Sequence, residues 1–349
     1  MDRERNNIGV VTIGRNEGES LRRCLGSVVA ADRVVVYVDS GSTDGSVQLA
    51  ESLGVRTVLL PTNERFTAAK ARNAGFAELL ALDPAVEYVQ FVDGDCEVRP
   101  DWIATAARFL DEHPSAVAVC GRRRERFPEA SIYNRLCDAE WDTPVGQADA
   151  CGGDALMRVA AFRKVGGFNP LMIAGEEPEL CVRLRSAGGT IHRIDAEMTL
   201  HDARMTRFNQ WWKRSIRAGF AFAAGASMHG TSTHHWVRQT VRTWVWAIVI
   251  PALALGFVLP TRGISLMIIG LYAVQLYRAA AYRRSRGDKW STSLAYGTFC
   301  VIGKWSELIG QLRFFGSKLA RKPAKLIEYK TSAVAARQIV GHSVSGSEV

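Results

Sequence analysis

Two aspartates separated by one glycine, Asp93-Gly94-Asp95, close the apolar run EYVQFV at residues 87–92. Like charges this close repel, so placing both at the tip of a buried strand calls for a positive group to join them. A hard divalent cation, Mg2+ or Mn2+, takes oxygen ligands and commonly shares them with a substrate phosphate. Gly94 would let such a ligand approach closely. Upstream, KARNAG puts Lys70 and Arg72 on a helix. Beside a diphosphate they would be clamps; otherwise they form a solvated face. Asp39 ends a second β-rich run, RVVVYVD, where a carboxylate can accept hydrogen bonds from a ribose hydroxyl or a base N–H. Asp44, in the following SGSTDGS, reads as a helix cap.

These residues need a scaffold that gathers strand ends. Residues 8–205 alternate short β-branched runs with helix-like stretches, which predicts an α/β fold with a mostly parallel sheet covered by helices on both faces. In such sheets ligands bind beyond the carboxyl ends of the strands. The first strand ends in TIGRNEGES. The G-x-G-x-x-G turn of a dinucleotide fold is absent there, which argues against nicotinamide or flavin chemistry. Arg15 and Glu17 stand there instead.

The chain has 349 residues, 47% hydrophobic and 23% charged, with a formal net charge of +9. That charge suits an anionic membrane surface, nucleic acid or phosphorylated ligands. Seven cysteines are scattered without a C-x-x-C, which argues against a disulfide framework or a zinc site and for free thiols in a reducing compartment. No apolar signal-peptide core precedes the first strand.

VVTIGRNEGESL, VDSGSTDGS, ARNAG and FVDGDCEVRPDW, in that order and spacing, resemble the nucleotide-binding half of family 2 glycosyltransferases with the GT-A fold. The resemblance covers roughly residues 8–220 and implies a nucleoside-diphosphate sugar donor, most simply a UDP-sugar, a divalent cation and inversion at the anomeric carbon. It implies that Asp93 and Asp95 gather the metal, that Arg72 and Lys70 help stabilise the leaving diphosphate, and that Arg15, Glu17, Asp39 and Asp93 contact the donor. CGGDALMRVAAFRKVGGFNP, 151–170, is similar to the glycine turn and helix that shape the acceptor side. In IAGEEPELCVRLRSAG, Glu177 stands where the family has its catalytic Asp, with Glu176 as the rival base. Without a catalytic role, both acids would simply favour a helix N-terminus, with Pro178 in its first turn. A histidine near His201 completes the metal site in many relatives; a lone histidine is otherwise a structural hydrogen-bonder. NQWWKRSIRAG resembles a Gln-x-x-Arg-Trp motif through Gln210 and Arg214, although no tryptophan follows Arg214.

After residue 206 the composition changes. Segments 243–260 and 263–282 are almost free of charge and approach the ~20 residues needed to span a bilayer. Basic residues gather in YRRSRGDK and in the tail, as the positive-inside rule expects of a hairpin. The expected organisation is a GT-A catalytic domain over 1–225, a C-terminal helical membrane hairpin over 226–312 with an interfacial helix at 290–312, and a basic then disordered tail over 313–349. The catalytic domain is expected on the cytosolic face of the inner membrane. The expected partners are the sugar nucleotide, a glycan or lipid-linked acceptor and the membrane, with no nucleic acid. Two other readings compete: a non-catalytic nucleotide-sugar-binding protein, and a sugar nucleotidyltransferase.

Overall fold

The computed structural model describes residues 7–31, 33–61 and 66–321. The chain begins as a βαβ series: β1 (Ile8–Gly14), α1 (Glu19–Val28), β2 (Val35–Asp39), α2 (Ser46–Ser52), β3 (Arg56–Leu59), α3 (Ala68–Leu82) and β4 (Tyr88–Asp93). A short β5 (Cys96–Val98) leads to α4 (Trp102–Glu112) and β6 (Ala116–Glu125). Then come α5 (Ile132–Trp141), β7 (Gly146–Gln147), β8 (Ala155–Arg158), α6 (Val159–Lys164), α7 (Glu176–Ser186) and β9 (Thr190–His201).

The strands form one sheet in the order β3-β2-β1-β4-β8-β6-β9-β5, with β7 on β9. The expected mostly parallel sheet is corrected to a mixed one. Strands β1 to β4 pair in parallel through helical crossovers, and β6 pairs in parallel with β9. β8 enters antiparallel between β4 and β6, and β5 and β7 run antiparallel to β9. Strand residues alternate between two apolar layers. Val10, Tyr37 and Val92 face Leu21, Leu25, Trp102 and Leu110 on one side. Val11, Val36, Val38 and Phe91 face Phe76, Leu79, Phe162 and Phe168 on the other.

The C-terminal part contains α8 (Phe208–Thr233), α9 (Val237–Trp244), a π-helical turn (Val245–Val249), α10 (Ile250–Gly256), a 3-10 segment (Ile264–Ile269), α11 (Gly270–Ser285) and α12 (Trp290–Leu319). The expected domain boundary at 225 falls inside α8. Helix α12 lies against α8 at backbone distance: a Cβ at Gly219 would sit 2.0 Å from the Glu307 carbonyl, and one at Gly310 2.0 Å from that of Ile216. The expected interfacial helix at 290–312 is therefore a 30-residue packed helix that continues to Leu319. Of the tail, residues 322–349 lie outside the described residues.

The two expected spans differ. The first is interrupted by the π turn and its helix ends at Gly256. The second falls in Ile264–Ser285, a helical stretch of 22 residues that is long and apolar enough to cross a membrane. Among the described residues it alone meets that criterion, so a two-span hairpin is not established. The two segments do touch, through Ser265 Oγ donating to the Ala254 carbonyl. Two of the arginines in YRRSRGDK pair with an acid of the sheet half. Arg286 Nη2 lies 3.0 Å and Arg283 Nη2 3.6 Å from Asp142 Oδ2.

Candidate active site

Register brings the first pair of residues together. β5 pairs antiparallel with β9 so that Cys96 faces His201. Asp95, in the tight turn just before β5, thereby meets the imidazole: His201 Nε2 lies 3.2 Å from Asp95 Oδ2, with both side chains buried. Two neighbouring ligands of an octahedral ion at about 2.1 Å would sit roughly 3 Å apart, so this spacing fits one cation held by both. His201 Nδ1 is buried without a hydrogen bond and faces Glu125 Oε2 at 3.7 Å, too long for one. A carboxylate behind a ligating histidine is the usual way its ring is oriented. The mixed oxygen and nitrogen donors suit Mn2+ better than Mg2+. Cys96 joins the group, its thiol 3.5 Å from Asp95 Oδ1. Burial pushes that thiol well above its ordinary range.

The other aspartate of the pair points elsewhere. Asp93 Oδ1 accepts from Arg72 Nη2 at 2.7 Å, and Arg72 Nη1 donates to Glu176 Oε1 at 2.8 Å. Burial alone would pull the Arg72 guanidinium down; Asp93 and Glu176 outweigh it and push it up. Arg72 is thus an internal bridge between the tip of β4 and the start of α7, with Phe168 beneath it. Lys70, two residues earlier, cannot share that face of α3; it is half-buried in the first turn.

Glu176 and Glu177 separate in the same way. Glu177 Oε1 accepts from the Cys151 N–H at 2.7 Å and Oε2 from the Gly152 N–H at 2.8 Å. The Cys181 thiol adds a bond to Oε1. Glu176 keeps Oε2 without a partner among the described residues. Glu177 thus holds the glycine turn, whereas Glu176 has an oxygen to spare.

At the end of β2, Asp39 is bonded within its own turn. Its Oδ1 accepts from the Gly41 and Ser42 N–H groups, and Oδ2 from the Tyr37 hydroxyl. Arg15 lies over the Phe66 ring. Glu17 packs near Gly94, where a Cβ would come 3.4 Å from Glu17 Cγ and 3.1 Å from the Ile13 carbonyl. Gln210 and Arg214 are structural: Gln210 Oε1 accepts the Thr206 and Arg207 N–H groups, and Arg214 pairs with Glu140.

Sequence reasoning missed the layer beneath. Asp154, fully buried, accepts from the Asp93 N–H and the Thr199 hydroxyl and pairs with Arg123 at 2.8 Å. Trp141 lies between Arg123 and His201. Gly153, at φ +105°, leaves room for both guanidinium groups; a Cβ there would meet Arg72 Nη2 at 3.3 Å and Arg123 Nη2 at 3.5 Å. The aspartate was visible in CGGDAL, a segment read only as a glycine turn.

Residues 9–166 match the sequence profile of glycosyl transferase family 2. A pre-mycofactocin glycosyltransferase of Mycobacterium tuberculosis is 28% identical over 263 residues, covering 71% of this chain and 54% of that protein. The succinoglycan biosynthesis protein ExoA of Rhizobium meliloti is 28% identical over 190 residues, covering 51% of this chain and 57% of that protein. The chain thus spans little more than half the length of these relatives. Among solved structures, the mannosyltransferase PcManGT of Pyrobaculum calidifontis, in complex with GDP-Man and Mn2+, has the same fold at a TM-score of 0.57 and 17% identity. That likeness covers 89% of this chain and 88% of the other. These matches support a glycosyl transferase family 2 domain over residues 9–166, on an α/β GT-A-like fold.

Proposed function

We propose that the chain is an inverting glycosyltransferase that moves a sugar from a nucleoside-diphosphate sugar, most simply a UDP-sugar, to a hydroxyl of a glycan or lipid-linked acceptor. The observation that carries this is the Asp95–His201 pair, spaced as two ligands of one cation, beside the buried Arg72 bridge and the open oxygen of Glu176. Asp95 and His201 would hold Mn2+ or Mg2+, which supplies charge stabilisation for the departing diphosphate. Arg15, Glu17 and Asp39 line the nucleoside end. Arg72, rather than clamping phosphate itself, fixes Asp93 and Glu176 relative to each other. Glu176 would take the proton of the attacking hydroxyl. Glu177 sets the 151–153 turn that faces the same space. One displacement inverts the anomeric carbon without a covalent nucleophile.

Membrane attachment, and a role in polysaccharide or glycolipid synthesis at the cytosolic face, is part of the same reading. It is supported by the outward-facing apolar side chains of Ile264–Ser285 and its neighbours. The test is to incubate detergent-solubilised protein with Mn2+, a panel of UDP-, GDP- and dTDP-sugars and a lipid extract, and to measure released nucleoside diphosphate. Metal-dependent release from one donor, lost in Asp95→Ala, is expected. Donor binding without release across the acceptor panel would favour a nucleotide-sugar-binding protein; release of pyrophosphate from a nucleoside triphosphate would favour a nucleotidyltransferase.

A further inference from the structure

The sequence argued against a zinc site because no two cysteines have ligand spacing. The fold nevertheless collects three of them. Cys120 lies on β6, Cys151 in the turn before β8 and Cys181 on α7. Cys151 packs against the apolar layer that contains Cys120. Cys151 Sγ, Cys181 Sγ and a Glu177 carboxylate oxygen all lie within 4.8 Å of one another.

We propose that Cys151, Cys181 and Glu177, with Cys120 alongside, form a second cation site, one that takes a soft divalent metal such as Zn2+. The donor set decides the class. Thiolates select Zn2+ over Mg2+ and Mn2+, whereas Asp95 and His201 offer a harder pair. Tetrahedral zinc with bonds of about 2.3 Å to sulfur puts its sulfur ligands roughly 3.8 Å apart, so only a small contraction of the cluster is needed. Cys151 is of intermediate burial, while Cys181 and Glu177 are buried. Binding breaks S–H bonds and forms S–metal bonds. The protons leave to water and nothing is oxidised.

Occupancy would act on the catalytic centre through Glu177. That carboxylate now holds the Cys151 and Gly152 N–H groups. A metal drawing on Glu177 and on the Cys151 thiol would reshape the turn that carries Gly153, against which Arg72, Arg123 and Asp93 are packed. Zn2+ is therefore an inhibitor that acts from behind the active site. The site itself stands without the transferase reading; its effect on turnover rests on that reading.

The experiment uses the full chain in detergent with a phosphine reductant present, and Cd2+ as the probe. One Cd2+ per chain with ultraviolet thiolate-to-metal absorption is expected. Affinity should fall roughly a hundredfold in Cys151→Ser and in Cys181→Ser, and should be retained in Asp95→Asn and Cys300→Ser. Absence of the thiolate band, or its persistence in Cys151→Ser and Cys181→Ser, overturns the proposal. Should those variants misfold, X-ray absorption of the Cd2+ complex of the unaltered chain decides. Two or three sulfur ligands are expected; none or one overturns the site. Turnover is then followed with Zn2+ added at saturating Mn2+. A thiolate site without any sugar transfer sinks only the transferase reading. Transfer that runs unaffected by an occupied site sinks the inhibitory role.

Discussion

In the sheet half, Val10, Val11, Val36, Tyr37 and Phe91 are sealed between helices, and charged groups gather at the strand ends. In the helices after Val237 the sorting reverses. Thr243, Ser265, Ser293, Ser306 and Gln311 are buried there, while Leu253, Leu255, Leu259, Met267 and Val274 face outward. Small and polar residues between helices, with large apolar ones outside, is the pattern favoured where the surroundings are lipid. An outward apolar surface of this extent is exceptional for a protein in water. The contrast supports reading one half as the chemical part and the other as its mount. The two are joined at Asp142, whose carboxylate meets Arg122 and Arg193 from the sheet and Arg283 and Arg286 from the end of α11.

The largest effect is expected of Asp95→Ala. Removing a metal ligand should lower turnover by about three orders of magnitude and leave vesicle flotation unchanged. Glu176→Gln should lower kcat by about a hundredfold or more, with little loss of stability. The converse experiment changes three outward residues, Leu253, Leu266 and Val274, to Gln. The vesicle-bound fraction should fall at least about tenfold, since each side chain contributes roughly 1.5–3 kcal/mol on burial; turnover on a soluble acceptor should persist. Retained membrane binding would break the division between the halves. Glu177→Gln should cost about 1–3 kcal/mol in urea denaturation by leaving a buried N–H without its acceptor, and should lower kcat less than Glu176→Gln does.

The smallest effect concerns His235, which stacks on Trp236 next to Gly175. Burial pulls His235 down from its usual 6.5 to about 4. Between those values the unfolded chain binds a proton that the folded one refuses. Its contribution to stability is therefore present above pH 6.5 and is lost as pH falls toward 4. His235→Gln should flatten the decline in Tm over that window.

The strand ends were legible because Asp39, Asp93 and Asp95 follow short β-branched runs, a local signal. The Asp95–His201 meeting was legible only through the family resemblance. The register that creates it belongs to β5, three residues long and too short to show alternation. The reversed β8, four residues long, was hidden for the same reason, which is why the sheet read as more parallel than it is. The different fates of Glu176 and Glu177 depend on how α7 packs against the 151–153 turn and α3. Neighbours in sequence carry no mark of that. The thiol cluster likewise arises from three distant elements.

On the proposed reading, Asp95 and His201 hold the cation that activates the donor. The measurement is donor turnover as a function of Mn2+ concentration, for the unaltered chain and for His201→Gln. The Mn2+ concentration for half-maximal activity should rise about 10- to 100-fold in the variant, with turnover recovering as Mn2+ is raised. An unchanged Mn2+ dependence would contradict it.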